Sequence, residues 1–306
     1  MRGGPESKYQ CSMKPPENQM TGEQLSAFLS EPRFSVYRNY VTERYQRLER
    51  TAVERYATEL YRWNVSASVT VMAHISYVEV FVRNSIDRVI RKWLAAQNVS
   101  GFSDWVGAQP VDPIGRIRSL VNTADRDYLE AARINALSRQ KQWRSEQRHP
   151  RHGDRANRDD VFAQLTFGTW DGMLSRSLND TELMEVLMGA FPVIESAWAV
   201  ELRRMPNAQL PGSEGDNKQE RLCRELTDRL RSIRNIRNRA GHEDNLLRVD
   251  FPQLRHNMFF VLGAISRECI RLSFPDGAQN LRTMNAERYL TTLVQRDKAS
   301  LQALQQ

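Results

Sequence analysis

The chain has 306 residues, of which 40% are hydrophobic and 26% are charged. This length allows a large hydrophobic core, and the composition is ordinary for a soluble globular protein. Forty-four lysines and arginines against 37 acidic residues give a formal net charge of +7. That excess is consistent with an anionic partner such as nucleic acid, and equally with a basic protein that has no such partner.

The cysteines and the apolar segments bear on the cellular location. Cys11, Cys223 and Cys269 lie far apart and form no CxxC pair, a pattern that favours a reducing compartment over secretion. The N-terminus lacks the apolar core of a signal peptide. The longest apolar run, MFFVLGAI at 258–265, is too short to cross a bilayer. We therefore predict a cytoplasmic protein that does not enter a membrane.

Residues 1–20 are polar and include two adjacent prolines, so we predict a disordered N-terminal tail. Thr21 and Gln24 then form a predicted capping box. Helical periodicity dominates the rest and strand-like alternation is nearly absent, which predicts an all-α fold with one domain over residues 21–306. The predicted helices cover residues 22–30, 36–63, 67–96, 114–122, 125–147, 158–176, 180–203, 217–241, 251–273 and 278–304. The irregular segments are the loop at 204–218 and the basic stretch at 139–160.

The helix predicted at 217–241 carries the sequence RNIRNRAGH near its end. Its apolar stripe, which is predicted to face the core, consists of Leu222, Leu226, Leu230, Ile233, Ile236 and Ala240. A second face with helical spacing consists of Arg231, Asn235, Asn238 and His242. Gly241 is predicted to end the helix and to let the chain bend at the histidine. A solvated helix face fits this pattern, and so does a site that binds phosphate and transfers a proton.

Two charged residues occupy positions where helical spacing predicts burial. Arg237 follows Ile233 by four residues, and Glu79 follows Ile75 by four residues on the helix predicted at 67–96. A buried charge needs a partner, so we predict an ion pair between Glu79 and Arg237. Arg83, one turn after Glu79, is the rival partner. A buried pair that only fixes the helix register is the purely structural alternative.

Three stretches resemble one protein family. RNRAGH at 237–242 matches the Arg-Asn-x-x-x-His signature of the HEPN ribonuclease superfamily, and its surroundings resemble the Abi-like (abortive infection, AbiD/AbiF-type) bacterial proteins. LYRWNVSASV at 60–69, followed by ISYVEVFVRNSIDRVI, is similar to that family's Trp-Asn and Glu-x-x-x-Arg-Asn region. LTFGTWDGMLS at 165–175 resembles its Phe-Gly-x-Trp segment. The stretches occur in the family's order, although the family commonly reads Ala-His-His-Glu where this chain has Gly241-His242-Glu243.

The resemblance implies a HEPN-like domain that cleaves RNA without a metal or another cofactor, as a toxin or abortive-infection effector. It implies that His242 transfers the proton, that Arg237 binds the phosphate and that Asn238 positions the reacting groups. Histidine and arginine suit these roles, because imidazole titrates near neutral pH and guanidinium stays charged. The resemblance also implies a homodimer that builds one composite site, and an antitoxin of protein or RNA is a possible further partner.

Other residues extend this predicted site. Glu79 is predicted to hold Arg237, with Arg83 and Asn84 as neighbouring RNA contacts. Further predicted RNA-binding residues are Arg231, Arg234, Arg144, Arg148 and Arg151. The stretch HPRHGD at 149–154 offers metal ligands as an alternative, but its proline and loop context make the spacing unfavourable, and we predict no metal site. His74, His256, Trp63 and Trp170 are predicted to be core or boundary residues.

Two other classes of function stay open. One is an RNA-binding module that has the fold and the basic surface but does not cut RNA. The other is an interaction protein of a toxin–antitoxin or defence complex, in which the motif is only structural. The intact set of Arg237, Asn238 and His242 favours the enzyme over both, since a non-catalytic protein has no need for the histidine.

Overall fold

The computed structural model of the chain describes residues 22–97, 104–107 and 111–304. These residues form fourteen helices and no strand, which confirms the all-α prediction. The predicted tail at 1–20 and Thr21 of the predicted capping box lie outside the described residues. The helices are α1 (Gly22–Leu29), α2 (Glu31–Arg44), α3 (Arg50–Ala96), α4 (Ile114–Val121), α5 (Tyr128–Ser145), α6 (Arg158–Phe162), α7 (Phe167–Ser177), α8 (Thr181–Met188), α9 (Ile194–Arg204), α10 (Lys218–Gly241), α11 (Phe251–Ile265), α12 (Arg267–Ser273), α13 (Gln279–Thr283) and α14 (Ala286–Leu304).

The chain divides into two compact units. The smaller unit comprises residues 1–65 and 286–306, and the larger unit comprises residues 66–285. The boundary falls inside α3, which continues without interruption from Arg50 to Ala96. The prediction of one domain over residues 21–306 relied on the absence of linker composition, and a boundary inside a helix leaves no such mark in the sequence.

Within the smaller unit, α1, α2, the first part of α3 and α14 surround an aromatic core. Its buried side chains include Phe34, Tyr37, Tyr40, Val41, Tyr56, Leu60, Leu290 and Val294. The rings of Tyr37 and Tyr61 meet edge to face, with centroids 5.5 Å apart. The hydroxyl of Tyr56 donates a hydrogen bond to Asp297 at 2.9 Å. This bond joins α3 to α14 within the unit.

Within the larger unit, α10 packs against α7 and α11, and α11 packs against α9. Five of the six residues of the predicted α10 stripe are buried, while Ile236 is half-buried. A capping box begins the helix: the Asn217 side chain accepts the N–H of Glu220 at 2.9 Å, and Glu220 accepts the N–H of Asn217 at 2.8 Å. This cap satisfies backbone N–H groups at the start of α10. The RNIRNRAGH segment therefore occupies the last turns of a helix whose apolar face is fixed in the core.

Several predicted helix boundaries are wrong. The predicted gap at 64–66 does not exist, and α3 continues through it, with the hydroxyl of Thr70 donating to the Ser66 carbonyl at 2.9 Å. The helix predicted at 36–63 is broken after α2, and those predicted at 158–176, 180–203 and 251–273 each divide into two. In the last case Ser266 begins a new helix by accepting the N–H of Glu268 at 3.1 Å. Local caps of this kind interrupt a helix without disturbing the spacing of its apolar residues.

Among the described residues, α3 is the one helix long and apolar enough to cross a membrane by length and composition. One third of its most apolar window, 33%, is buried inside the protein, and the core helix of a soluble protein meets the same criterion. The sequence analysis considered only the longest uninterrupted apolar run. It did not detect this segment, because serine, threonine and histidine interrupt its apolar residues.

Candidate functional site

The end of α10 presents His242 to solvent. The helix ends at Gly241, and the N–H of His242 donates to the Asn238 carbonyl at 2.9 Å. The backbone turns at Glu243, which has a φ of 55°, and the next N–H returns to the Arg239 carbonyl at 2.8 Å. The prediction that the helix ends at Gly241 and that the chain turns at the histidine is therefore confirmed. Gly241 remains helical, and the left-handed residue that ends many helices stands two positions later.

Two polar residues precede the histidine near the end of α10: Arg237, five residues before it, and Asn238, four residues before it. Both are half-buried, whereas His242 is exposed. The guanidinium Nη1 of Arg237 donates to the Asn238 amide oxygen at 3.4 Å. The Nε of Arg237 is buried and has no hydrogen-bond acceptor among the described residues. A buried donor without an acceptor is energetically costly, so this guanidinium retains capacity to bind an anion such as phosphate.

Glu79 lies near Arg237, but the predicted ion pair is wrong. No nitrogen of Arg237 or Arg83 comes within 4.0 Å of the Glu79 carboxylate in the described part of the chain. Burial raises the pKa of Glu79 above its usual value, and the charges of Arg237 and Arg83 offset only part of that effect. Arg237 instead donates to Asn238, and the Arg83 guanidinium lies 5.8 Å over the ring of Phe162.

The two residues that were predicted to accompany Glu79 on α3 differ in their exposure. Arg83 is half-buried, with its Nε unsatisfied like that of Arg237, and Asn84 is exposed one residue later. A Cβ placed on Gly241 would lie 4.0 Å from the Met72 side chain, which shows that α3 approaches the end of α10. Two guanidinium groups and one carboxyl group thus share this region, although no hydrogen bond joins the carboxyl to either guanidinium.

Arg234 has a structural partner. Its Nη1 lies 3.0 Å from Oδ1 and 2.9 Å from Oδ2 of Asp171 on α7, whose side chain is 3% exposed. Burial raises the pKa of Asp171, and the charge of Arg234 counteracts this effect. A Cβ on Gly168 would come within 3.4 Å of the Arg234 guanidinium, so the glycine of the Phe-Gly-x-Trp segment leaves space for the arginine. Arg234 therefore joins α10 to α7, and its role as an RNA contact stays a prediction.

The fourth arginine of the helix, Arg231, is exposed and pairs with Asp228 at 2.8 Å. An exposed pair of this kind contributes little to stability, because solvent screens it and the side chains remain free to move. Arg231 consequently remains accessible to an anionic ligand that competes with Asp228.

Within the basic stretch at 139–160, three predicted RNA contacts have different surroundings. Arg144 and Arg148 are exposed. Arg151 pairs with Asp154 at 3.0 Å and with Asp160 at 2.5 Å, and its guanidinium lies 4.1 Å over the ring of Trp143. Within the described residues, no hydrogen bond or ion pair connects this stretch to α10. Two carboxylates thus already lie against the charge of Arg151, and its role as an RNA contact stays a prediction.

His149, one of the two histidines of HPRHGD that could serve as metal ligands, already has partners within the stretch. His149 stacks on Trp143 with centroids 6.1 Å apart, and its Nδ1 accepts the N–H of Arg151 at 3.1 Å. The described residues contain no group of three or more His, Cys, Asp or Glu side chains placed to hold a metal ion. His74 stacks on Phe274 at 5.5 Å, and Trp170 is fully buried, so both are confirmed as core or boundary residues.

The sequence analysis did not identify the charged network between α9, α10 and α11. Glu201 is 1% exposed, and its Oε2 lies 3.4 Å from Nη2 of Arg229 and accepts a hydrogen bond from Nε2 of His256. Arg229 also pairs with Glu225 at 2.6 Å. Glu201 lies seven residues after Ile194 and three after Trp198 on a helix. This spacing predicts that its side chain is buried, and it was the sequence signal that could have identified the network.

No family model, no curated protein and no solved structure matches this chain. The resemblance to the HEPN ribonucleases consequently depends on the three sequence stretches alone. The residues with chemical capacity at the end of α10 are the exposed His242, the half-buried Asn238 and Arg237 with its unsatisfied donor.

Proposed function

We propose that this protein is a metal-independent endoribonuclease whose site lies at the C-terminal end of α10. One observation carries the proposal: an exposed histidine follows, by five residues at the end of α10, an arginine whose buried Nε has no acceptor among the described residues. The charged groups nearest to Arg237 do not neutralise it through a close ion pair, so it is available for a phosphate. The Arg-Asn-x-x-x-His resemblance supports the same residues.

The chemistry assigned to each residue follows from its side chain. Cleavage of RNA requires removal of a proton from a ribose 2′-hydroxyl, or protonation of the departing 5′-oxygen, and imidazole performs either transfer near neutral pH. Arg237 stabilises the negative charge that develops on the phosphate, since its planar guanidinium matches two phosphate oxygens. Asn238, four residues before His242 and therefore on the same helical face, positions the phosphate or the imidazole.

Glu79, Arg83 and Asn84 form the neighbouring wall of the proposed site on α3. The raised pKa of Glu79 keeps a larger fraction of its carboxyl neutral than is usual, which reduces its competition with a phosphate for the two guanidinium groups. Arg144 and Arg148 are exposed and supply sequence-independent attraction to RNA elsewhere on the surface. Arg231 joins them if RNA displaces Asp228.

The resemblance further supports a role as a growth-arresting toxin or phage-defence effector in the bacterial cytoplasm. It also supports a homodimer in which two α10 ends build one composite site, with an antitoxin of protein or RNA as a possible regulator. The dimer has a measurable consequence. Cleavage per molecule should fall on dilution, whereas a site completed by one chain gives a rate per molecule that is independent of concentration.

The decisive experiment is incubation of the purified protein with cellular RNA in EDTA. Wild type should cleave RNA and leave 2′,3′-cyclic phosphate or 3′-phosphate ends, and His242→Ala should abolish cleavage. His152→Ala is the matched control, because this histidine is also exposed but lies in the basic stretch. Its cleavage rate should equal that of wild type.

Three outcomes would contradict the proposal. If EDTA abolishes cleavage and a divalent cation restores it, the mechanism does not rest on His242 and Arg237. If wild type binds RNA with a salt-dependent affinity but produces no new ends, the chain is the non-catalytic RNA-binding module instead. Absence of both binding and cleavage would leave an interaction protein of a defence complex as the function.

A further inference from the structure

A cavity of about 730 Å³ lies between α9, α11 and the start of α12, within the larger unit. This volume is typical of pockets that bind small molecules. Most of its wall is apolar, with contributions from Val193, Ala197, Val200, Phe259, Phe260 and Ile270. None of the residues assigned to the proposed RNA site lines it. The cavity is therefore a separate feature of the molecule.

Arg204 and Arg255 line one side of the cavity, whose wall also includes the carboxylates of Glu201 and Glu268. Arg204 lies 3.8 Å from Oε1 of Glu201, which is beyond hydrogen-bond distance. Arg255 donates to the Gly277 carbonyl at 2.7 Å and has no ion pair among the described residues. Burial lowers the pKa of Arg255, and the nearby charges of Arg282 and Arg204 lower it further. Cations held close together repel each other, and an anion placed between them removes that repulsion. This side of the cavity therefore favours an anionic group.

The deepest polar group in the wall is the carboxylate of Glu201. Its Oε2 is engaged by Arg229 and His256, but its Oε1 is buried and has no hydrogen-bond donor among the described residues. The closest cation to Oε1 is Nη1 of Arg204, at 3.8 Å, which is too far for a hydrogen bond. A buried acceptor of this kind favours a ligand that brings an N–H or O–H group.

We propose that this cavity binds a small apolar acid that also carries a hydrogen-bond donor. The anionic group lies against Arg204 and Arg255, the apolar body fills the space between α9 and α11, and the donor reaches Oε1 of Glu201. The three features occur within one cavity, and none is needed for the RNA chemistry at the end of α10. The proposal thus stands whether or not the protein cleaves RNA.

Anilinonaphthalene sulfonate, a fluorescent apolar anion, is the primary probe, and three small competitors test the chemistry. Indole acetate carries both the anion and the N–H, naphthalene acetate lacks the N–H, and indole ethanol lacks the anion. Indole acetate should displace the probe at the lowest concentration, and the neutral indole ethanol should be at least about tenfold weaker, as expected for the loss of one charge-assisted contact.

Two matched pairs of variants test the location. Arg204→Gln should weaken the probe by about tenfold, whereas Arg203→Gln, next to it and outside the cavity wall, should have no effect. Ala197→Phe should fill the cavity and abolish binding, while Ala199→Phe on the exposed face of α9 should preserve it. Near-UV circular dichroism tests whether each variant keeps its tertiary packing, because partly unfolded proteins that have lost it also bind this probe.

The proposal is overturned if indole ethanol competes as well as indole acetate, or if Ala197→Phe and Ala199→Phe bind the probe equally. It is also overturned if the probe binds at many equivalent sites, since a built cavity takes one molecule per chain. Cleavage of RNA by the same samples is measured in parallel, so that a failed ribonuclease assay and a failed binding assay are distinguished.

Discussion

Removal of the Arg234 guanidinium should leave the carboxylate of Asp171 without its ion-pair partner in the core of the larger unit. Asp171 is 3% exposed, and Arg234 Nη1 lies about equally close to both of its oxygens. Breaking a buried pair by removing one partner typically costs about 3–5 kcal/mol, because the remaining charge is desolvated without compensation. We expect Arg234→Met, which keeps the apolar part of the side chain, to lower the free energy of unfolding by that amount.

The control is Arg231→Met on the same helix. Its partner Asp228 has a side chain that is 55% exposed, and exposed pairs contribute about 0–1 kcal/mol. The two variants remove the same charge from α10 but should differ by roughly 3 kcal/mol. Urea unfolding of both variants and of wild type, followed by tryptophan fluorescence, provides the comparison.

The effect of pH gives an independent check with a defined sign. The folded pKa of Asp171 is raised above its unfolded value, so the folded state binds more protons and stability falls as the pH rises through the folded pKa. Loss of Arg234 raises that pKa further. The destabilisation of Arg234→Met should therefore be largest at neutral pH and should disappear as the pH approaches the unfolded value, about 3.9. A destabilisation equal to that of Arg231→Met, or one that is independent of pH, would refute this reasoning.

Two further predictions concern Glu79 and the basic stretch. Glu79→Gln should slightly raise the free energy of unfolding at neutral pH. Burial raises the pKa of Glu79, so ionisation of its carboxyl costs free energy in the folded state. A loss of about 3 kcal/mol in urea unfolding would instead indicate a buried ion pair. Replacing Arg144 and Arg148 by glutamine should reduce the salt dependence of RNA binding, with the slope of log K against log salt falling by about 1.4 at roughly 0.7 per phosphate contact. Arg151→Gln should leave that slope unchanged in filter-binding titrations, since Asp154 and Asp160 already hold its charge.

Local spacing was sufficient to predict the helical class and the orientation of α10. Leucine and isoleucine recur at helical intervals along it, and a helix of that pattern has only one face to bury. The end of the helix at Gly241 was predicted as well, because glycine is common at that position. The left-handed residue of the turn is Glu243, and no local pattern predicts that conformation at a glutamate.

Partners far apart in the sequence were not predictable in the same way. Arg237 and Glu79 were predicted to be buried and are half-buried, and their direct pairing was inferred from complementary charge alone. Side-chain reach and competing contacts decide such pairings, and Arg237 turns to Asn238. Likewise Asp171 lies four residues after the buried Phe167, yet its partner Arg234 is 63 residues away. Such distances carry no periodic signal.

The turn at Glu243 affects the entropy of any binding event at His242. The N–H of Asp244 returns to the Arg239 carbonyl, and the Arg239 guanidinium donates to the Asn245 carbonyl, so the turn is tied to the helix on both sides of the histidine. Ordering a flexible segment costs about 1–2 kcal/mol per residue. At this turn the entropy is lost when the chain folds and not when a ligand binds. A ligand at this end of α10 binds to a backbone that is already ordered, so the free energy of its contacts is not offset by the entropy of ordering the turn.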